Sequence, residues 1–280
     1  MPSVLISGAS RGIGRATTLR LARAGWTVYA TVRKAADGEE LVAEAGHQVH
    51  PLQLDVTDDA QIAALGEALP ERLDALVNNA GIVVSGPLES LSADELREQF
   101  EVNVVGAVAL TNAVLPRLRI AQGRIVFVSS LSGLVSTPMT GAYNASKFAI
   151  EAIADAWRLE LRPWGVKVAL VEPAMTDTDL WRNAPETLEA EVAAMSDEHR
   201  ELYGEHLAGM RRAVPKIQKM AKPVDTVTAT IERALTATRP KARYPVGVDV
   251  KVQAALSGVT PSRVMDAVNG RLTGTPSSKR

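Results

Sequence analysis

Short apolar runs alternate with longer helix-like runs through residues 1–170, and this alternation restricts the fold more than any other feature of the chain. Several of the short runs are apolar almost without interruption, which is typical of parallel strands that helices cover on both faces. Strands are predicted at residues 4–6, 27–32, 49–54, 75–77, 124–128 and 166–171, with helices near 13–24, 38–45, 58–68, 94–119 and 142–162. We therefore predict an α/β fold built on a single doubly wound parallel sheet.

The pattern changes after Pro173. Residues 175–222 are rich in Met, Glu and Arg and show helical periodicity without a clear strand, so we expect a helical lid over a substrate pocket. A helix at 224–238, a short strand at 244–246 and further helices up to about residue 268 should follow, and residues 273–280 are predicted to form a frayed tail. The whole chain, 1–280, is expected to be one domain, with residues 239–280 as a C-terminal extension.

Composition excludes several classes of protein. The chain has 31 basic and 32 acidic side chains and a formal net charge of -1. It therefore lacks the excess positive charge that binds nucleic acid or anionic lipid. There is no cysteine, so disulfides, thiolate metal sites and cysteine nucleophiles are excluded, and we predict no metal site. With 46% hydrophobic residues the chain can bury a core, and the absence of cysteine is typical of a reducing compartment, so we expect a cytoplasmic protein.

No membrane span or signal peptide is expected. The first predicted strand begins at about residue 3, which leaves no room for a leader segment. The most apolar stretch, 102–115, is interrupted by Asn103, Thr111 and Asn112 and is expected to be too short and too polar to cross a bilayer.

A glycine-rich turn follows the first predicted strand and opens the first predicted helix. It reads Gly8-Ala9-Ser10-Arg11-Gly12-Ile13-Gly14, with the spacing GxxxGxG. Glycine permits a tight turn and a close approach of the backbone, and a helix N-terminus offers amide donors to a pyrophosphate. The turn is thus a candidate dinucleotide site, although a turn needed only for packing would have the same sequence.

The same residues also match G-x-S-x-G, the nucleophile elbow of α/β-hydrolases, with Ser10 as the nucleophile. A serine hydrolase needs an acid and a histidine placed after the serine. The chain has only His47, His50, His199 and His206, and none of them follows a late predicted strand. We therefore regard a serine hydrolase as a remote alternative.

The end of the second predicted strand indicates which dinucleotide binds. An acidic residue there would hydrogen-bond the ribose 2′-hydroxyl of NAD, whereas an arginine accommodates the 2′-phosphate of NADP. The chain has Arg33 at this point and no acid before Asp37, and Arg11 supplies a second guanidinium. We predict a preference for NADP(H), with NAD(H) left open.

Tyr143 and Lys147 are four residues apart in a predicted helix, so that they share one face. An ammonium beside a phenol favours phenolate and lowers a pKa that is normally about 10. Such a tyrosine can act as an acid or a base near neutral pH. The pair predicts redox chemistry at a carbonyl or an alcohol, and Ser130 lies upstream, after the predicted strand at 124–128.

These features occur together in the short-chain dehydrogenase/reductase family, which the chain resembles from the first strand to the end of the sheet. The resemblance rests on the glycine turn, on Asn78-Asn79-Ala80-Gly81, on Ser130 and on Tyr143 to Lys147. Asn103, the pair Asp55-Val56 and the segment from Pro173 to Thr178 match further family positions. The resemblance implies a Rossmann fold and an NAD(P)-dependent oxidoreductase that interconverts a secondary alcohol and a ketone or aldehyde.

The resemblance implies a role for each matching residue. Tyr143 would exchange a proton with the substrate oxygen, Lys147 would lower the pKa of the tyrosine and hold the nicotinamide ribose, and Ser130, rather than Ser129, would hydrogen-bond the substrate oxygen. Asn103 would hold a water for proton relay. Contacts with the cofactor are implied for Gly8, Ser10, Arg11, Gly12, Ile13, Gly14, Arg33, Asp55, Val56, Asn79, Ala80, Gly81, Tyr143, Lys147, Pro173, Thr176 and Thr178. One departure is Pro173-Ala174, where the family usually has Pro-Gly.

A further resemblance, to the hydroxysteroid- and retinol-dehydrogenase-like branch, lies in Thr31-Val32-Arg33 and in residues 239–247 with the helical tail after them. It implies a lipophilic substrate of steroid, retinoid or fatty type, and pairing through the helices at 94–119 and 142–162 into a homodimer or homotetramer. Candidate pocket residues are Leu131, Leu134, Met139, Met175 and Trp181. The alternative from another functional class is a protein that binds the dinucleotide as a sensor without turnover.

Overall fold

The computed structural model describes residues 1–257 and 260–276 and contains a seven-stranded, entirely parallel sheet. The strand order is β3-β2-β1-β4-β5-β6-β7, so the winding direction reverses beside β1, which pairs with both β2 and β4. The strands are β1 (Ser3–Ile6), β2 (Thr27–Val32), β3 (Val49–Gln53), β4 (Ala75–Asn78), β5 (Arg124–Val128), β6 (Lys167–Pro173) and β7 (Arg243–Val246). The predicted doubly wound sheet is confirmed, with strand ends within two residues of their expected positions.

Helices cover both faces of the sheet. They are α1 (Gly12–Arg23), α2 (Ala35–Ala45), α3 (Asp59–Ala68), α4 (Ala93–Phe100), α5 (Gly106–Ala121), α6 (Gly141–Glu160), α7 (Asp179–Arg182), α8 (Ala184–Ala194), α9 (Asp197–Leu202), α10 (Gly204–Gln218), α11 (Val224–Thr236), α12 (Val248–Ser257) and α13 (Ser262–Thr273). Because side chains alternate along a strand, Ile6 packs toward α1, α2 and α11, whereas Leu5 packs toward α3, α5 and α6. The two apolar layers hold the carboxyl ends of the strands at one edge, where α/β proteins bind ligands.

The helix predicted at 94–119 is one continuous helical run, but it is not α-helical throughout. It begins with a capping box in which Ser92 and Glu95 satisfy each other's backbone amides. A π-helical segment, Glu101–Val105, then separates α4 from α5. The extra residue in this turn sets the direction of Asn103, and such bulges are frequent at functional sites.

This run, Ala93–Ala121, is the one helical stretch within the described parts of the chain that is long and apolar enough to cross a bilayer. The expectation that the stretch at 102–115 is too short was wrong, because the helix continues on both sides of it. However, 44% of its most apolar window is buried within the protein, and core helices meet the same criterion. It is therefore weak evidence for a membrane span.

The C-terminal part forms a helical layer over the carboxyl edge of the sheet. Residues 175–222 carry α7 to α10, and the bridge between Thr176 and Lys222 brings the two ends of this segment together. The tail predicted from residue 273 begins later than expected, because α13 continues to Thr273, whose side chain is buried. The last four residues of the predicted tail, 277–280, lie outside the described residues.

Candidate active site

Three side chains expected to take part in catalysis meet at one cavity. Tyr143 and Lys147 occupy the first two turns of α6, and Ser130 directly follows the strand β5, at the N-cap of a 3₁₀ turn over Leu131–Gly133. All three line a cavity of about 380 Å³ at the carboxyl edge of the sheet. Its other wall comes from the glycine turn and from the helical layer above the sheet.

The phenol of Tyr143 interacts with Ser130, whose hydroxyl also donates a 3.4 Å hydrogen bond to the carbonyl oxygen of Pro173. Burial raises the pKa of Tyr143, and the hydrogen bond from Ser130 opposes this rise. The sequence-based expectation that Lys147 lowers this pKa is not met by this arrangement. The Lys147 ammonium lies 5.7 Å from the centre of the phenol ring and bonds elsewhere.

Lys147 is buried, with 8% of its surface exposed, and its Nζ donates a 2.9 Å hydrogen bond to the carbonyl oxygen of Val128. Burial lowers the pKa of Lys147 to about 8, and the nearby carboxylate of Glu151 opposes this lowering. An amine with such a pKa can exchange its proton near neutral pH.

A cluster of acidic side chains lies behind Lys147 and shares one arginine. On β7, the Arg243 guanidinium lies 3.1 Å from a Glu151 oxygen, 2.7 Å from Asp155 and 3.3 Å from Glu172. Glu172 is only 1% exposed, and burial, followed by repulsion from Glu151, raises its pKa to about 7 against the attraction of Arg243. Two elements, α6 and β6, thus supply three carboxyl groups around one arginine from β7.

Asn103 holds the loop after β4 to the catalytic helix. Its Oδ1 accepts a 2.8 Å hydrogen bond from the Ile82 amide, while its Nδ2 donates to the Ile82 carbonyl at 3.0 Å and to Ser146 Oγ at 3.1 Å. Ser146 belongs to α6, one residue before Lys147. The carboxamide of Asn103 is therefore fully engaged with protein groups.

The glycine turn has the conformation that its sequence predicts. Gly8 and Gly12 have φ angles of 65° and 56°, in the left-handed region that favours glycine. Gly14 lies so close to the carbonyl oxygen of Gly8 that a Cβ would collide with it, and it would also lie 2.5 Å from Asn79 Nδ2. The turn thus brings bare backbone to the N-terminus of α1, and the neighbouring Ile13 lines the cavity.

The segment after β4 fixes the glycine turn from the other side. Asn79 Nδ2 donates 3.0 Å hydrogen bonds to the carbonyl oxygens of both Ser7 and Gly8. Asn78 Nδ2 instead donates a 2.8 Å hydrogen bond to Thr111 Oγ1 and thereby ties β4 to α5. Ala80 packs against Gly8, and Gly81 lines the cavity beside Asn79. These hydrogen bonds and contacts hold the glycine turn and the segment after β4 in fixed positions relative to each other.

The residues expected at the adenosine end differ in exposure. Arg11 and Arg33 are exposed, and neither guanidinium is bonded to any residue that the structure describes. Asp55 accepts hydrogen bonds from the amide and hydroxyl of Thr57 at 3.0 and 2.8 Å, while Asp58 caps α3. The carboxylate of Asp55 thus shapes the loop beyond β3, and Val56 is buried next to it.

The segment after β6 forms the opposite side of the site. Pro173, Thr176 and Thr178 line the cavity together with Ala174. Thr176 Oγ1 donates a 3.2 Å hydrogen bond to the Ala174 carbonyl oxygen, and Thr178 Oγ1 donates to the Thr176 carbonyl oxygen at 3.3 Å. The departure from the family pattern at Ala174 therefore lies directly on the cavity wall.

Four of the five predicted pocket residues line the cavity: Leu131, Met139, Met175 and Trp181. Leu134 does not line the cavity, whereas Val135 of the same apolar segment between Ser130 and Tyr143 does. Met139 has a φ of 68°, a conformation that is uncommon for a residue other than glycine and is often found at functional sites.

Further cavity residues could not be predicted from the sequence. Ser85 and Glu191 line the cavity, as do Gln253 and Thr273 from the C-terminal helices. No motif or spacing marks them, because their positions depend on how distant helices pack over the sheet. Neither Ser10 nor any of the four histidines is among the described residues on the wall.

The parallel doubly wound sheet, the glycine turn at its switch point and the serine, tyrosine and lysine at one cavity define a class: dinucleotide-dependent oxidoreductases. A family model described as short chain dehydrogenase matches residues 2–189. The chain belongs to the short-chain dehydrogenase family, and its activity is that of an NAD(P)-dependent dehydrogenase or reductase.

The chain is similar over nearly its whole length to proteins of known sequence or structure. It is 33% identical over 279 residues to an NADPH-dependent 3-dehydrocapnine reductase of Ornithobacterium rhinotracheale, covering 96% of each chain. It is 33% identical to retinol dehydrogenase 5 of Mus musculus, covering 95% of this chain and 86% of that one. The crystal structure of a short-chain dehydrogenase from Streptomyces avermitilis superimposes with a TM-score of 0.77 at 29% identity, covering 98% and 95%. The predicted likeness to retinol dehydrogenases is confirmed.

Proposed function

We propose that this chain is an NADP(H)-preferring enzyme that interconverts a lipophilic alcohol and the corresponding ketone or aldehyde. One observation carries the proposal: Ser130, Tyr143 and Lys147 meet at the base of a largely apolar cavity that also borders the glycine turn. A phenol, a hydroxyl and an ammonium are the groups needed to move a proton to or from one substrate oxygen.

The residues present fit a dinucleotide. A Cβ at Gly8 would collide with Ala80, and one at Gly14 would collide with the carbonyl oxygen of Gly8, so only glycine lets the turn close against the segment after β4. The amides at the N-terminus of α1 then face the turn and could bind a pyrophosphate. When bound, the nicotinamide supplies or accepts the hydride. Lys147 would hold the nicotinamide ribose, and Thr176 and Thr178 would contact the nicotinamide side of the cofactor.

Tyr143 is proposed as the proton donor in reduction and the proton acceptor in oxidation. Its O–H transfers the proton to the carbonyl oxygen as negative charge develops there, while Ser130 donates a hydrogen bond to the same oxygen. Lys147, with a pKa of about 8, would return a proton to the phenolate. We assign the relay water to the backbone of Asn103, because its carboxamide is bonded to Ile82 and Ser146.

Substituting Tyr143→Phe tests the catalytic proposal. Removal of the hydroxyl should lower kcat by about hundredfold to ten-thousandfold, because proton transfer is lost, whereas NADPH affinity should stay unchanged. The matched control is Tyr203→Phe, whose hydroxyl bonds the surface residue Glu89 outside the cavity. If wild-type protein binds NADPH but turns over no steroid, retinoid, fatty ketone or small carbonyl, the chain is a dinucleotide sensor and the catalytic proposal fails.

The preference for NADP(H) rests on Arg33, whose free guanidinium lies at the end of β2, and on the NADPH dependence in the name of the O. rhinotracheale relative. Arg33→Asp should weaken NADPH binding by about tenfold or more and affect NADH binding far less, because only NADPH carries the 2′-phosphate. Arg162→Asp makes the same charge change at the opposite edge of the sheet, before β6, and is the control. Equal losses for both dinucleotides at Arg33 would contradict the assignment.

Pairing into a homodimer or homotetramer is also proposed. Phe148 and Leu159 of α6 are 42% and 67% exposed, and Ile120 of α5 is exposed as well, which gives the two helices an apolar outer surface. Phe148→Arg should shift the mass measured by light scattering toward the monomer. A wild-type protein that is monomeric at micromolar concentration would refute the pairing.

A further inference from the structure

One helix of the lid presents a carboxyl group to the substrate cavity. Ala184, Thr187, Leu188 and Glu191 of α8 line the cavity, and their spacing places them on a single face of the helix. Glu191 therefore occupies a position where the pattern of this face would normally place an apolar residue. Among the described residues of the cavity wall, it is the only acidic one.

No cation within the described chain neutralises Glu191. Its one neighbour of consequence is the hydroxyl of Ser85, on the loop after β4, which hydrogen-bonds it. The nearby arginines are engaged elsewhere: Arg200 bonds the backbone carbonyl of Met195 at 2.7 Å, and Arg211 pairs with Glu189 at 2.7 Å. Glu191 thus differs from Glu189 on the same helix, which is exposed and has its own arginine.

The surroundings of Glu191 make an ionised carboxylate costly. Burial raises the pKa of Glu191, and the hydrogen bond from Ser85 opposes this rise. A carboxylate can accept about four hydrogen bonds, and a single hydroxyl satisfies one of them. Leu188, Met210 and Val214 on the surrounding wall offer no donor, and no further hydrogen bond to Glu191 is formed by the described residues, so a ligand group that donates would meet an acceptor with unused capacity.

We propose that Glu191 is a specificity-determining residue that accepts a hydrogen bond from a hydroxyl or protonated amine carried by an otherwise lipophilic substrate. This inference rests on the proposed function, because it concerns the same cavity. The apolar wall binds the hydrocarbon part of the substrate, Tyr143 and Ser130 bind the reacting oxygen, and Glu191 selects a second polar group away from the reacting carbon. A half-buried acceptor on the cavity wall favours a ligand that supplies the missing donor over one that lacks it.

The test uses three ketones that share one hydrocarbon chain and end in a hydroxyl, an ammonium or a methyl group. Their kcat/KM values are compared in wild-type protein, Glu191→Gln and Glu191→Leu, with Glu189→Gln as the control on the exposed face of α8. Wild-type protein should prefer the two donor-bearing ketones by about tenfold to hundredfold over the methyl compound. Glu191→Gln should keep the preference for the hydroxyl and lose that for the ammonium, and Glu191→Leu should favour the methyl compound.

Binding is measured separately from turnover. Calorimetry with Tyr143→Phe, loaded with NADPH, gives the affinity for each of the three ketones without reaction. If the donor-bearing ketones bind no more tightly than the methyl compound, or if Glu191→Leu leaves the order of affinities unchanged, the inference is overturned. Tight, selective binding together with no turnover in wild-type protein would support the role of Glu191 and refute the catalytic proposal instead.

Discussion

Replacing Glu172 with glutamine is expected to remove a pH-dependent loss of stability. Glu172 is 1% exposed at the end of β6, 3.3 Å from Arg243, and its pKa is raised to about 7 from the ordinary 4.5. The folded protein therefore holds this proton more tightly than the unfolded chain does. The stability from this group is fully present below pH 4.5 and is lost as the pH rises through about 7.

The size of the effect follows from the two pKa values. The difference between about 7 and 4.5 corresponds to about 3 kcal/mol of lost stability well above pH 7. Between pH 6 and pH 8 the loss amounts to about 1 kcal/mol, because part of it has already occurred below pH 6. Glutamine has the same shape and no charge, so Glu172→Gln should remove this share of the pH dependence.

Urea unfolding followed by circular dichroism at pH 6 and pH 8 measures the difference. The matched control is Glu67→Gln, on the exposed surface of α3, which should leave the pH dependence of wild-type protein intact. Identical pH dependence in wild-type protein and Glu172→Gln would show that Arg243 keeps Glu172 ionised in the folded state. The reasoning from burial would then be refuted.

Three further substitutions or conditions have distinct expected outcomes. Gly14→Ala should abolish NADPH binding in a fluorescence titration and lower the free energy of unfolding by about 1–3 kcal/mol through overpacking. The control Gly66→Ala in α3, where there is room for a methyl group, should be tolerated. Normal NADPH affinity in Gly14→Ala would contradict the close approach of Gly14 to the carbonyl oxygen of Gly8. Gly209→Ala should raise the KM for the ketone and leave NADPH affinity unchanged, because the added methyl group would push the carbonyl of Gly274, at the end of α13, away from α10. An unchanged KM would show that α13 does not close the cavity. NADPH affinity should weaken as the pH rises through about 8, where Lys147 loses its proton, and affinity that stays flat to pH 9 would argue against a charged Lys147 at the ribose.

Much of the catalytic part of this site could be predicted because its residues are close in sequence or follow successive strands. Tyr143 and Lys147 share a face by helical geometry alone, and Ser130 follows β5 at the edge where parallel strands end. The glycine turn is equally local, since its conformation depends on the absence of side chains over seven residues. Asn103 was predicted from the family pattern, although the π-helical segment that aims its carboxamide was not.

The sequence by itself therefore determined the parallel sheet and the three residues that meet at the base of the cavity, because hydrophobic periodicity and short motifs report local geometry. Only the tertiary structure decided which groups meet across long distances in the chain. It brought Ser85, Glu191 and Thr273 to the cavity and joined Glu172 with Arg243. These positions depend on how whole helices and strands pack against one another, and no local pattern encodes that packing.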